Sequence, residues 1–463
     1  MLFRSHEQIH QALMEANAEK ERPFLIIGKT IMGKGAVKAD GTSHERQVNT
    51  HGQPLSAAGA SFDETIKNLG GNPENPFVIF SDVADYYKER NAEKAKYVSE
   101  QKAIQKGWEA KNPELSAKMK RFFSAEPPKI DYSAIKQKVN DATRSASANV
   151  LGVFAEQVEN MIVMSADLAN SDKTDGFLKK TKAFTKNDFS GAFLQAGVCE
   201  LTMASIANGM ALHGGVIPAC GTFFVFSDYM KPAARLAGLM ELPVKYIWTH
   251  DAFRVGEDGP THQPVEQEAQ IRLMEKLKNH KGHNSMLVLR PADAEETTVA
   301  WQMAMENVST PTALILSRQN ITNLPDNNYT NSLRSKKGAY IVSKDEGKPD
   351  IVLIGNGSEV STLLEGAELL RSRKGLKVQI VSVPSEGVFR NQPKEYQNEV
   401  LPVGVPRFGL TAGLPVTLEG LVGDNGMAAG LDHFGYSAPY KVLDKEFGFT
   451  GEAVFEKVMA LLK

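Results

Sequence analysis

Side chains with acid–base chemistry crowd one short stretch of the sequence, THDAFRVGEDGPTHQPVEQ at residues 249–267. His250, Asp251, Glu257, Asp258 and His262 are interleaved there with Gly256, Gly259, Pro260 and Pro264. Two imidazoles among three carboxylates can take up and release protons near neutral pH. The same composition also suits a solvated loop whose acids cap the helix that follows. Two other stretches have the shape of phosphate cradles. Gly28, Gly33 and Lys34 have the spacing of a P-loop, but Gly35 stands where a Ser or Thr should ligate Mg²⁺. GNGSE at residues 355–359 fits a tight strand-to-helix turn, which can also hold an anion at a helix N-terminus.

The elements around these residues follow from apolar patterning. An apolar run at residues 244–248 reads as a buried strand entering the histidine-rich loop, and residues 267–277 read as a helix leaving it. Loops at the carboxyl ends of strands are where open α/β sheets bind ligands. Further strands are expected at residues 161–165, 216–226, 285–289 and 313–316, with helices at 198–213 and 294–307. That alternation implies a mostly parallel sheet covered on both faces. A second α/β pattern begins at Gly338, with strands at 351–354 and 378–383 around a helix at 360–370. At the front, Ser5 and Gln8 have capping-box spacing, and residues 24–27 read as a short strand. Residues 86–123 are charged and rich in helix formers, as surface helices between domains would be. Pro127 and Pro128 suit a hinge, and residues 320–337 a polar linker.

Composition narrows the class. The chain has 463 residues, which the usual length prior divides into about three domains. Its 42% hydrophobic content supplies cores, and a net charge of −2 offers no general nucleic-acid or membrane surface. Two cysteines, Cys199 and Cys220, fit a reducing cytoplasm better than a disulfide framework. No signal peptide and no bilayer-length apolar run is evident.

Several segments, in order, resemble the transketolase family. They are HGQPL (51–55), SADLANS (165–171), GVCELTMASIANGMALHGG (197–215), GTFFVFSDY (221–229), GEDGPTHQPVEQ (256–267), SRQN (317–320) and FGYSAP (434–439). The resemblance implies an α/β thiamine-diphosphate-binding fold. It comprises a pyrimidine-type domain (146–322), with a parallel sheet flanked by helices, and a C-terminal α/β transketolase domain (323–463). A helical linker (86–145) and a remnant of a diphosphate-binding domain (1–85) would precede them. The implied activity is transfer of a two-carbon ketol unit between sugar phosphates, with thiamine diphosphate supplying the carbon chemistry.

The resemblance also implies roles. Glu200 would hydrogen-bond the cofactor's aminopyrimidine and drive the imino form that activates the thiazolium. Phe223, Phe226 and Tyr229 would line the pyrimidine pocket, Phe226 directly against the ring. Arg144 and Arg318 would grip the sugar phosphate, assisted by Ser171 and His250. Asp258 would accept a sugar hydroxyl and His262 would shuttle a proton at the reacting hydroxyls. His51 would lie between the cofactor diphosphate and the substrate, and Asp167 would be a pocket acid. The sequence departs from the family at Cys199, where arginine is common, and at Ala169-Asn170, where a proline-containing turn is commoner.

No Gly-Asp-Gly with a following Asn, the family's Mg²⁺ and diphosphate motif, is found. The expectation is therefore a chain lacking most of its diphosphate-binding domain, with Mg²⁺ ligands in the missing N-terminal segment and no metal ligands here. Such a chain would be a homodimer, inactive without that part or working with a separate N-terminal polypeptide. Related readings are dihydroxyacetone synthase, deoxyxylulose-phosphate synthase and a non-catalytic partner subunit. Arg144, Ser171 and Arg318 favour phosphorylated sugars among these.

Overall fold

The structure, a computed structural model, describes residues 6–463, so the capping position expected at Ser5 lies outside the described residues. The chain forms two compact units, residues 1–112 and 113–463.

In the first unit, helices α1 (His6–Ala18), α2 (Phe62–Asn68) and α3 (Ser81–Lys111) are joined by long turns. Ser61 caps α2, its hydroxyl accepting from the Glu64 amide at 3.3 Å. The strand expected at residues 24–27 does not form. Among the described residues no strand pairs with it, and Phe24, Leu25, Ile26 and Ile27 are all exposed. An apolar run becomes a strand only where a partner strand takes its backbone hydrogen bonds. Nor does a helix follow Gly35, as a P-loop requires; the next helical turn is Val48–Thr50. Helix α3 buries none of its residues, in keeping with its charged sequence.

The second unit starts with α4 (Pro113–Phe123) and α5 (Thr143–Gln157) and continues into six parallel strands. These are β1 (Met161–Ser165), β2 (Phe193–Gln195), β3 (Ile217–Phe223), β4 (Lys245–Thr249), β5 (Leu287–Leu289) and β6 (Thr312–Leu316), in the order β2-β1-β3-β4-β6-β5. Alternate residues feed two cores. Val163, Ala219, Ile247 and Leu314 enter one, while Met164, Cys220, Trp248 and Ile315 enter the other. A strand buried on both faces must be apolar throughout, which is why these segments stand out in the sequence. Helices α6 (Ala169–Asp172), α7 (Asp175–Leu178), α8 (Glu200–His213), α9 (Ser227–Leu239), α10 (Gln267–Lys276) and α11 (Ala294–Glu306) make the crossovers.

A five-stranded sheet follows, built from β7 (Tyr340–Lys344), β8 (Ile351–Gly355), β9 (Val378–Ser382), β10 (Arg407–Leu410) and β11 (Gly426–Ala429). Its order is β11-β10-β8-β9-β7, parallel except for the edge strand β7. In the first sheet the chain runs from β1 outward to β2, then crosses back to β3 on the other side of β1. The carboxyl ends of β1 and β3 therefore diverge at a topological switch point, where such sheets open a crevice.

Candidate functional site at the carboxyl ends of the first sheet

Loops leaving β1, β3, β4 and β6 meet at this edge. At the end of β3 the Phe223 and Phe226 rings lie nearly parallel, 5.9 Å apart and 7° from coplanar, and Tyr229 stacks on Phe226 at 6.0 Å. Phe223 is buried, Phe226 half-buried and Tyr229 exposed, so the ladder runs from core to surface. His262, from the loop after β4, stands edge-on to Phe226 at 5.5 Å and to Phe223 at 6.2 Å. A flat apolar platform beside an imidazole can hold a heteroaromatic ring and move a proton beside it.

His250 follows β4 directly and is held in the left-handed region, with φ 60°. Its ring stacks on Phe223 at 3.6 Å, and its Nδ1 lies 2.9 Å from the Thr249 hydroxyl. Its Nε2 lies 3.2 Å from Nη1 of Arg144, which donates to the Ser171 carbonyl at 2.7 Å. Burial, then Arg144, Arg318 and His262, push the His250 pKa far below the usual imidazole range. His250 is therefore a neutral ring, able to accept a hydrogen bond from the guanidinium.

Arg144 and Arg318 are brought together by a clasp between α5 and the end of β6. The Thr143 amide donates to the Ser317 hydroxyl at 3.1 Å, and the Ser317 amide returns to the Thr143 hydroxyl at 2.7 Å. Burial and the neighbouring Arg318 depress the Arg144 pKa, and the Arg144 Nε is buried with no protein acceptor. Asp172 and Asp141 act on Arg144 as well, but neither guanidinium is in an ion pair among the described residues, and two such groups together can hold an anion. Ser171 is placed by Asp172, whose carboxylate accepts from Ser165 at 2.6 Å and from the Thr174 hydroxyl at 2.7 Å. Burial raises the Asp172 pKa to about 6.

The remaining expected residues are less gathered. Glu200 is buried in the first turn of α8, which packs on β3 and α9. Asp167, with φ 65°, and Asp258 are exposed. His51 belongs to the first unit. Among the described residues, no group of three His, Cys, Asp or Glu stands close enough to hold a metal ion.

Sequence reasoning missed the scaffold beneath the loop. Arg290 is 1% exposed and clamps three carboxylates: Asp251 at 2.7 Å, Glu268 at 3.4 Å and Glu359. Its Nη1 also donates to the Asn356 side chain at 2.6 Å. The GNGSE turn thus serves this buried cation, not a phosphate; a Cβ at Gly357 would come within 2.8 Å of the guanidinium. Arg254 likewise joins Glu359 at 3.0 Å and Asp444 at 2.7 Å. From the other side, Gln263 donates to the Gly256 and Tyr436 carbonyls, at 2.9 and 3.0 Å. Ser437 donates to the Glu257 carbonyl at 2.6 Å, so FGYSAP braces the GEDGPTHQP loop. In sequence, Arg290 sits in VLRPADAEE, where only the adjoining apolar strand marked it for burial.

Comparison with known proteins gives one answer along the chain. Residues 140–323 match the model of the transketolase pyrimidine binding domain, and residues 338–450 that of the transketolase-like C-terminal domain. Residues 4–128 match the transketolase thiamine diphosphate binding domain. That match does not support the expectation that most of this domain is missing, nor that Mg²⁺ ligands lie in a missing segment. The transketolase of Geobacillus stearothermophilus is 39% identical over 98% of this chain and 66% of its own length. Chloroplastic transketolase of Craterostigma plantagineum is 37% identical over 99% of this chain and 85% of its own. Among solved structures, transketolase from Leishmania mexicana superimposes with a TM-score of 0.88 at 31% identity, covering 100% of this chain and 66% of that one. A Pichia stipitis transketolase complex with sedoheptulose 7-phosphate gives 0.84 at 31%, covering 98% and 65%. The chain thus spans 66% of the length of the Geobacillus relative.

Proposed function

This chain belongs to the transketolase family, and from that premise we propose that it transfers a two-carbon ketol unit from a ketose phosphate to an aldose phosphate using thiamine diphosphate. The observation that carries the reading is the pairing, at one sheet edge, of an aromatic platform with a two-arginine anion site. Phe223, Phe226 and Tyr229 supply the first, and Arg144 and Arg318 the second. When bound, thiamine diphosphate would supply the carbon nucleophile and electron sink.

The residues present fit the cofactor's pyrimidine end. The half-buried face of Phe226 offers a stacking surface. Glu200, buried in the first turn of α8, would exchange a proton with the aminopyrimidine. Arg144 and Arg318 would take the substrate phosphate, with the unpartnered Arg144 Nε among the donors. Neutral His250 would stay uncharged beside them, and its ring would keep Arg144 in position. His262 would move a proton at the substrate hydroxyls, Asp258 and Ser171 would complete the sugar contacts, and Asp167 would complete the pocket. His51 would approach the cofactor diphosphate, and Mg²⁺ would neutralise that diphosphate.

We divide the chain as a diphosphate-side segment (1–85), a helical linker (86–145), the pyrimidine-binding domain (146–322) and the C-terminal domain (323–463). We infer a homodimer from the exposed leucines Leu201, Leu212, Leu236 and Leu239 on the packed pair α8 and α9. The unpaired Cys199 and Cys220 support a cytoplasmic setting; no described helix is long and apolar enough to cross a membrane.

The test is a ketol-transfer assay with thiamine diphosphate, Mg²⁺ and phosphorylated sugars. It is run on this chain alone and with a second polypeptide carrying the remaining length of a relative. Transfer in either arrangement that is lost in Phe226→Ala supports the proposal. No transfer in both arrangements overturns it.

A further inference from the structure

A cavity lies at the opposite end of the first sheet from the candidate site, among the amino ends of its strands. Its volume is about 490 Å³. Residues just before β1 and at the starts of β3 and β4 form its walls, and residues 121–129 cover it. The lining is mixed: Val158, Val216, Ile217, Pro243, Met305 and Val308 form its apolar part, and exposed polar groups such as Gln157 and Glu159 stand at its rim. The covering segment seats Phe123 on the Gly214–Gly215 turn, where a Cβ at Gly215 would come within 2.9 Å of the ring.

The buried charge of this lining is Lys245, the first residue of β4, at 2% exposure; the other charged residues that line the cavity are exposed. Its Nζ donates to the Asn307 carbonyl at 2.6 Å. None of the ion pairs among the described residues involves it. Of the carboxylates nearby, Glu159 is paired with Lys118, and Glu306 with Lys336. Glu126, Arg121 and Lys129 belong to the covering segment and are exposed. Burial alone lowers the Lys245 pKa to about 7. A buried ammonium whose one acceptor is a main-chain carbonyl lacks the counter-ion that burial of a charge demands.

We propose that this cavity is a binding site for a small anion with an apolar body, such as a medium-chain carboxylate, whose charge pairs with the Lys245 ammonium. The volume accommodates such a ligand, the apolar part of the wall beside Lys245 matches its body, and the lysine supplies the missing half of an ion pair. The site is separate from the candidate ketol-transfer edge, from which β4 itself divides it, and it does not depend on that assignment.

Binding carries a proton signature. Above pH 7 the buried amine is mostly neutral, and an anion placed beside it raises its pKa, so the complex takes up a proton. The experiment is calorimetric titration of the full chain with octanoate at pH 8, in two buffers of different ionisation enthalpy. Inorganic phosphate and octan-1-ol serve as controls. The expected result is one saturable octanoate site with uptake approaching one proton, weaker binding of both controls, and at least tenfold weaker octanoate binding in Lys245→Met. Equal octanoate binding by wild type and Lys245→Met overturns the proposal. So does binding without proton uptake in the wild type, a criterion that holds even if the variant folds poorly.

Discussion

The imidazole of His250 lies face to face with the phenyl ring of Phe223, with centroids 3.6 Å apart and planes 27° apart. The contact joins the loops after β4 and β3, and it places a ring between the aromatic platform and Arg144. Because the ring is buried beside cations, its proton affinity is depressed in the folded state. A base whose folded pKa is lowered costs stability wherever the unfolded chain protonates and the folded one does not. That window opens as pH falls below the ordinary histidine value of about 6.5, with a limiting slope of about 1.4 kcal/mol per pH unit. Urea unfolding of wild type and His250→Gln between pH 5 and 8 should show a steeper acid loss in the wild type. Identical slopes would mean that His250 protonates freely in the fold.

Arg144 and Arg318 should discriminate phosphorylated from plain substrates. Losing a charge-assisted contact of about 1.5–3 kcal/mol corresponds to roughly 10- to 100-fold in kcat/KM. Arg144→Ala and Arg318→Ala should each lose that much on a ketose phosphate donor and far less on an unphosphorylated ketol donor. Equal losses on both donors would remove the phosphate assignment.

Arg290 is expected to be worth more to the fold than any residue of the candidate site. Arg290→Ala would strand Asp251 in the interior and take one of two cations from Glu268 and Glu359, which keep Arg272 and Arg254, and breaking a buried pair typically costs about 3–5 kcal/mol. Thermal and urea unfolding read this directly. A loss below about 1 kcal/mol would show that the carboxylates neutralise or rehydrate on their own.

What could be read in the sequence, and what could not, follows from the range of the forces involved. Strand β1 was expected at residues 161–165 and spans Met161–Ser165, because burial on both faces demands an unbroken apolar run. β2, only Phe193–Gln195, is too short to carry a pattern, and it escaped notice. Residues 24–27 have the pattern but no partner strand among the described residues. At the site, the loop 249–267 announced its histidines through residue type alone. The stack of His250 on Phe223 and the clamp of Asp251 by Arg290 join residues 27 and 39 positions apart. Such partners are fixed by strand order, which local patterning does not reveal. The same limit hid the bond from Gln263 to the Tyr436 carbonyl.

Gly435 tests that bond. A Cβ there would fall 1.6 Å from the Gln263 Oε1, and the Gln263 amide cannot swing away without releasing its two carbonyl partners. Gly435→Ala should cost about 1–3 kcal/mol of stability through overpacking and lower ketol transfer by loosening His262. Full activity at wild-type stability would show that the loop does not depend on this support.

If Glu200 activates bound thiamine diphosphate through the pyrimidine ring, deuterium exchange at the cofactor's C2 position reads that role directly. It compares the wild-type chain with Glu200→Gln, in whichever arrangement binds the cofactor. The wild type should exchange this proton much faster than free cofactor. Glu200→Gln should still bind but exchange at least 100-fold more slowly than wild type, because an amide cannot relay the proton; general acid–base assistance is worth roughly 10²–10⁴-fold. Exchange at the same rate in both proteins, with the cofactor bound, would contradict that role.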